Sequence, residues 1–226
     1  MKPTIISSFA TDTLIREESL ETKVGGPAYF ITSYLDRAKV NYNLITGARG
    51  QVEVDLRNGR EAGRIKSVGE IVLPFQKITG LVLVSTLLDE FPLQAVGDFC
   101  CVDVQGYVRD GTDFGLKKYF DSPELAKCPV VKSTREEVKW LSPERVKNLP
   151  LLLVTSGSEG FQIATAGRLY QFEVEKVAAS DTIGAGDTFF TAFCLCYYQA
   201  KNVSVSARFA AKAATEFLKM KGRERP

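Results

Sequence analysis

The sequence predicts an α/β protein built on a mostly parallel sheet, and three observations carry that prediction. Short continuous apolar runs recur along the 226 residues, helical periodicity fills the gaps between them, and the chain ends in two helices. Runs that are apolar at every position suit strands buried on both faces, as parallel strands are. The candidate strands are T-I-I-S-S-F (4–9), Y-N-L-I-T (42–46), L-V-L-V-S (81–85), C-C-V-D-V (100–104), P-V-V-K (129–132) and L-L-L-V-T (151–155).

The first helix is expected from Pro27, a residue favoured in an opening turn, through A-Y-F-I-T-S-Y-L-D-R-A. Further helices are expected over 89–96 and 134–140, the second opening on the capping-box pattern S-T-R-E at 133–136. Two stretches depart from the βαβ rhythm. Residues 51–67 centre on Asn58-Gly59, a type I′ hairpin signal, and residues 161–174 turn at Ala166-Gly167. In the last helix Val205, Phe209, Ala213 and Phe217 form a stripe at four-residue spacing, read as core. With no repeat, low-complexity tract or linker, residues 1–226 are expected to form a single domain.

Composition narrows the function classes. Hydrophobic residues make up 45% and charged residues 25%, which suits a soluble globular core. A net charge of +2 without a basic stripe argues against nucleic-acid or membrane partners. The first residues lack the apolar core of a signal peptide and no run approaches spanning length, so a cytoplasmic location is expected. The five cysteines, at 100, 101, 128, 194 and 196, have neither a disulfide framework's count nor zinc spacing. There is no histidine, so acid–base chemistry falls to carboxylates, Lys, Tyr or Cys.

The chemistry concentrates in S-D-T-I-G-A-G-D-T-F-F, residues 180–190. Gly184, Ala185 and Gly186 carry almost no side chain, so an anion can approach their backbone N–H groups. The helix that follows leaves its first N–H groups unpaired in the same direction. Asp187, where turn becomes helix, can accept a proton from an attacking hydroxyl, although a helix N-terminus alone would lower its pKa. A plain helix cap is the competing reading. A dinucleotide fingerprint fails, because the third glycine is missing and the motif does not follow the first strand.

D-T-I-G-A-G-D-T-F resembles the C-terminal signature of the ribokinase-like, or PfkB-type, carbohydrate kinases. G-G-P-A-Y-F, D-T-L-I and V-T-S-G-S-E-G resemble other motifs of that family, in the family's order. The resemblance implies a three-layer ribokinase-like fold, with a mostly parallel central sheet flanked by helices and a reduced β-hairpin lid around 51–67. It implies Asp187 as base and residues 184–186 as anion hole. It places Asp12, Gly25, Gly26 and Phe30 at the acceptor, and Thr155, Gly157 and Gly160 at the donor. Ser133 and Glu136 of S-T-R-E would stand at the family's N-x-x-E, with Glu136 reaching Mg²⁺ through water and Ser133 replacing the usual Asn. Asp181 and Thr182 would lie at a monovalent-cation (K⁺) site.

V-D-V-Q-G-Y-V-R (102–109) and V-K-S-T-R-E-E (131–137), with Phe30 in place of a ribose-contacting Asn, look like the myo-inositol kinase-like branch. The implied activity is phosphoryl transfer from ATP to a hydroxyl of a polyol or sugar. Inositol-like acceptors come first, then furanose sugars or nucleosides. Pyrophosphate stays open as donor, as does a ligand-binding member without turnover, and either a monomer or a homodimer is compatible.

Overall fold

The computed structural model describes residues 1–55, 57, 62–165, 167–179 and 181–223, with Arg223 described by its backbone alone. Its frame is an eight-stranded sheet. From one edge run β4 (Asn43–Ile45), β1 (Thr4–Ser7), β7 (Leu81–Ser85), β8 (Phe99–Asp103), β9 (Val130–Thr134) and β10 (Leu151–Thr155), all parallel to their neighbours. An antiparallel pair, β11 (Phe161–Thr165) and β12 (Arg168–Phe172), closes the other edge. All six apolar runs form strands within two residues of the expected bounds.

Alternation along the strands separates two cores. Ile5, Leu83, Cys101 and Leu153 face α1 (Pro27–Arg37), α4 (Ala185–Ala200) and α5 (Val203–Arg223). Ile6, Val84, Val102 and Leu152 face the other way, where α2 (Gln105–Val108), α3 (Pro143–Lys147) and 3₁₀ turns and loops cover them. Three layers result. Helix α4 is buried continuously from Asp187 to Leu195, so the helix that begins at the glycine turn lies in the main core. Among the described residues, no helix is long and apolar enough to cross a membrane.

The lid is larger than a hairpin. The expected hairpin is β5 (Gly50–Asp55) with β6 (Ala62–Ser67), but β2 (Ala10–Ile15) and β3 (Leu20–Gly25) extend it to four strands in the order β3-β2-β5-β6. Strand β3 is polar and exposed along most of its length, so its sequence lacks the apolar alternation that marks a strand. Ala10, Leu14, Val52 and Val54 pack the lid's inner face on Leu87. The turn residues Asn58, Gly59 and Ala166 lie outside the described residues.

Other expectations change in instructive ways. Residues 89–96 form no helix, because the Glu90 carboxylate accepts the N–H groups of Leu87 and Leu88 at 2.8 and 2.7 Å and Pro92 interrupts the run. The helix over 134–140 reduces to a 3₁₀ turn, Glu137–Trp140. On α5 the buried stripe is Ala207, Ala210 and Phe217, while Val205 and Phe209 are half exposed. Small residues, rather than the large ones, let α5 lie close to α4.

Candidate active site

Polar residues gather at the carboxyl ends of the parallel strands: Ser7, Ser85, Asp103, Thr134 and Thr155. In open parallel sheets this end is where ligands bind. Gly184 is the N-cap of α4 with φ +89, and a Cβ there would stand 2.2 Å from the Phe30 ring. Glycine is required on both counts. The contact also corrects the expected place of Phe30. Its ring is buried under Gly184 and packs edge-on to Phe217 at 6.1 Å, so it supports the turn instead of forming an acceptor wall.

Ala185 N–H is taken by the Thr182 carbonyl at 3.1 Å, which closes the turn. The N–H groups of Gly186 and Asp187 meet no backbone acceptor among the described residues. The N–H groups this helix start leaves available to an anion are therefore those of Gly186 and Asp187 more than that of Ala185.

Asp187 lies in the first turn of α4 and is buried. Gln105 Nε2 donates to its Oδ1 at 3.2 Å and to Ser85 Oγ at 3.0 Å, and Ser85 Oγ stands 3.4 Å from the same Oδ1. Among the described residues Oδ2 accepts no hydrogen bond. Burial pushes the Asp187 carboxyl up from the ordinary carboxylate range, against the pull of Lys132 and Arg109. Desolvation outweighs the helix-terminus effect expected from sequence. A base with a raised pKa is the better matched to neutral pH.

Lys132 is the residue that motif reading missed. It pairs with Asp103 at 2.7 Å, both side chains essentially inaccessible, from register partners on adjacent strands β8 and β9. A Cβ on Gly186 would stand 3.3 Å from Lys132 Nζ, so the ammonium sits directly at the start of α4. Burial opposes that charge, but Asp103 and Glu137 beside it hold the ammonium above its usual range. Asp103, being fully buried, is pushed up to about 7. Two signals were available: V-D-V and V-V-K each carry a charge inside an otherwise apolar strand, with opposite signs.

The cap and its carboxylate also shift by one residue. Glu137, not Glu136, forms the reciprocal capping contacts. Thr134 N–H donates to Glu137 Oε2 at 2.7 Å and Glu137 N–H to Thr134 Oγ1 at 3.1 Å. Glu137 is buried. Glu136 is exposed and paired with Lys139 at 2.7 Å, away from the site, and Ser133 is buried in β9 with an unpartnered hydroxyl. The residues expected at 133 and 136 are thus replaced in position by Thr134 and Glu137.

Thr155, Gly157, Gly160, Thr182, Ala185 and Gly186 come together around one cavity of ≈ 340 Å³, with Lys132 and Thr134 in its wall. Its far side is apolar, formed by Val174, Val177, Ala211 and Leu218. On the lid side, Asp12 is buried on the same inner face as Ala10 and Leu14. Its carboxylate covers Gly25 so closely that a Cβ there would fall 1.7 Å from Oδ2. Gly26, with φ +81, caps α1 and leaves no room for a side chain against Ala10 N and Ser8 O. Asp181 does not stand open to a metal ion: Lys221 reaches it at 2.8 Å and Lys23 at 3.8 Å. Burial alone would raise its pKa, but the Lys221 and Ile183 N–H contacts hold it low. Among the described residues, no three metal-ligating side chains cluster.

Known structures align with nearly the whole of this architecture. A pyrophosphate-dependent kinase in the ribokinase family, complexed with a pyrophosphate analog and myo-inositol, aligns with a TM-score of 0.74. It is 20% identical, over 96% of this chain and 95% of that one. The chain has the ribokinase fold. Ribokinase from Arabidopsis thaliana, complexed with ribose and ATP, aligns at TM-score 0.73 and 18% identity, over 98% of this chain and 93% of that one. Ribokinase from Cryptococcus neoformans var. grubii, in complex with ADP, aligns at 0.69 and 13%, over 94% and 92%. The description "pfkB family carbohydrate kinase" matches residues 122–224, from just before β9 into the residues after α5. No curated protein matches the sequence. Within the ribokinase fold, Asp187 and the glycine turn belong to the matched segment, whereas Asp12, Gly25 and Gly26 lie on the lid side outside it.

Proposed function

We propose that the protein is a kinase that transfers a phosphoryl group to a hydroxyl of a small polyol or sugar, with residues 1–226 acting as one catalytic unit. The observation that carries this reading is Asp187: a buried carboxylate with a raised pKa, in the first turn of α4, beside unpaired amides and the Lys132 ammonium. An acceptor hydroxyl bonded to Asp187 attacks the terminal phosphorus. The new O–P bond forms as the bond to the leaving oxygen breaks, and the hydroxyl proton passes to Asp187. The amides of Gly186 and Asp187 with the Lys132 ammonium stabilise charge on the transferring group. Ser85 and Gln105 fix the carboxylate through Oδ1.

Inositol-like acceptors are the first candidates, with Asp12 as the lid-side hydroxyl acceptor; the myo-inositol complex of the pyrophosphate-dependent relative supports that order. The donor site is the ≈ 340 Å³ cavity, within the range of small-molecule sites. Its apolar far wall favours a nucleotide, and ATP is the proposed donor. Pyrophosphate is the second reading, since the polar side of the cavity, Lys132 with the α4 amides, recognises phosphate without needing a base. A hard cation with few protein ligands suits Mg²⁺, and Glu137 would hold it through water, where it would neutralise phosphate charge. Glu136 does not fit that role, because it faces solvent on Lys139.

A panel of polyols and sugars, each assayed with ATP and with pyrophosphate, tests the reading. Phosphorylated product from a polyol or sugar with either donor supports it and selects the donor. Thermal stabilisation by an acceptor without product from any pairing replaces it with a binding protein.

A further inference from the structure

The turn that precedes α4 is held by a cation that belongs to the chain itself. Asp181 Oδ1 accepts the N–H of Ile183 at 3.0 Å and the ammonium of Lys221 at 2.8 Å. The same ammonium donates to the Ile183 carbonyl at 2.8 Å. It therefore bridges a carboxylate and a backbone carbonyl of the D-T-I turn. The faces of Phe30 and Phe217 stand 5.8 and 5.5 Å from it, within the range of cation–π attraction. Phe30 is the ring under Gly184, so the cation and the glycine turn share one support.

A carboxylate with a neighbouring carbonyl is the oxygen set that an alkali cation takes. Here the K⁺ site expected at Asp181 and Thr182 does not fit its residues. An ammonium already lies between the oxygens, and Lys23, 3.8 Å from Asp181 Oδ2, adds a second positive charge. A metal ion entering would meet two like charges and lose the ligands they hold.

We propose that Lys221 is a tethered substitute for a monovalent cation, a positioning residue on α5 that holds the turn into α4 and makes the protein independent of added K⁺. The turnover half of this inference rests on the kinase reading; the binding half does not. Among the described residues Lys221 bonds Asp181 and the Ile183 carbonyl, neither of them a reacting group. It acts through the Ile183 carbonyl and Asp181, which set where Gly186 and Asp187 present their N–H groups.

The test compares wild type with Lys221→Ala and Lys221→Met in KCl, NH₄Cl and choline chloride at matched ionic strength. In wild type, neither melting temperature nor turnover distinguishes K⁺ from choline. In the variants, turnover in choline falls on the order of tenfold to a hundredfold, the worth of one of the two lost charged hydrogen bonds felt at the reacting turn. K⁺ or NH₄⁺ then restores turnover and raises the melting temperature, and choline does neither. A wild type that requires K⁺ overturns the proposal, as does a variant that matches wild type in choline or one that no small cation restores. Should the variants fail to fold, the wild-type comparison still decides. Should no acceptor be phosphorylated, cation-dependent melting of the variants tests Lys221 while the kinase reading fails separately.

Discussion

Replacing Lys132 by Met gives the sharpest separation between a structural and a catalytic ion pair. The substitution keeps most of the side-chain volume and removes a charge 2.7 Å from Asp103 in a place neither side chain shares with water. Breaking a buried pair by deleting one partner costs about 3–5 kcal/mol. For a chain of this size that corresponds to a melting-temperature drop of about 6–20 °C. Asp103, already pushed up to about 7 beside Lys132, moves further up without it and takes a proton. A raised carboxyl pKa means that the folded state holds a proton the unfolded state has released. Stability of the variant therefore falls as pH rises above the ordinary carboxylate range, until the raised pKa is passed. Lys132→Met/Asp103→Asn leaves no buried charge, so it should regain most of the loss and that pH dependence should vanish. Turnover should stay low in both variants, because the ammonium at the start of α4 is absent from each. Chemical denaturation across pH, with phosphoryl-transfer rates on the same samples, measures every term. A double variant with wild-type turnover would refute the reasoning, since Lys132 would then serve only to neutralise Asp103.

Three further outcomes follow from the site. Asp187→Asn should reduce kcat by roughly 10²–10⁴ as a lost general base. Because burial raises the Asp187 pKa, ionising it costs folding stability as pH rises through that raised value. The Asn variant should thus be at least as stable as wild type at neutral pH, and calorimetry checks the sign. Glu137→Gln should weaken Mg²⁺-dependent turnover and destabilise the 3₁₀ cap, whereas Glu136→Gln should leave both near wild type; a Mg²⁺ titration of the two variants reads the difference. Gly184→Ala should cost about 1–2 kcal/mol for the left-handed backbone alone, with more from the Phe30 overlap. Combining it with Phe30→Leu should recover part of the second term in a denaturant titration.

The parts of the site legible in sequence were those whose residues are consecutive. D-T-I-G-A-G-D-T places the turn, the amides and the carboxylate within one short segment, so local chemistry is enough to find them. The Lys132–Asp103 pair was hidden because its members are 29 positions apart and meet only through the parallel register of β8 and β9. S-T-R-E-E offers two hydroxyls and two glutamates at the same spacing, and only the last residue of β9 decides between them. Thr134 ends the strand there and Ser133 lies inside it. Lys221 was missed for a similar reason, since it reaches Ile183 across 38 positions from the last turn of α5. Strands β2 and β3 were missed because a lid sheet with one wet face and a polar edge lacks the continuous apolar runs of the central sheet.

The way β1 becomes β2 has a mechanical consequence. The chain leaves the main sheet one strand in from the β4 edge after Ser7 and is already in the lid by Ala10, with two residues between. Ala28 N–H grips the Ser8 carbonyl and Gly50 N–H grips that of Phe9, so this short span is held at both of its carbonyls. Any swing of the lid must pivot close to that span, and Asp12, only two positions past Ala10, rides on the moving side. A molecule captured by Asp12 would pull the lid shut by its own attachment, so recognition and enclosure would occur as a single motion.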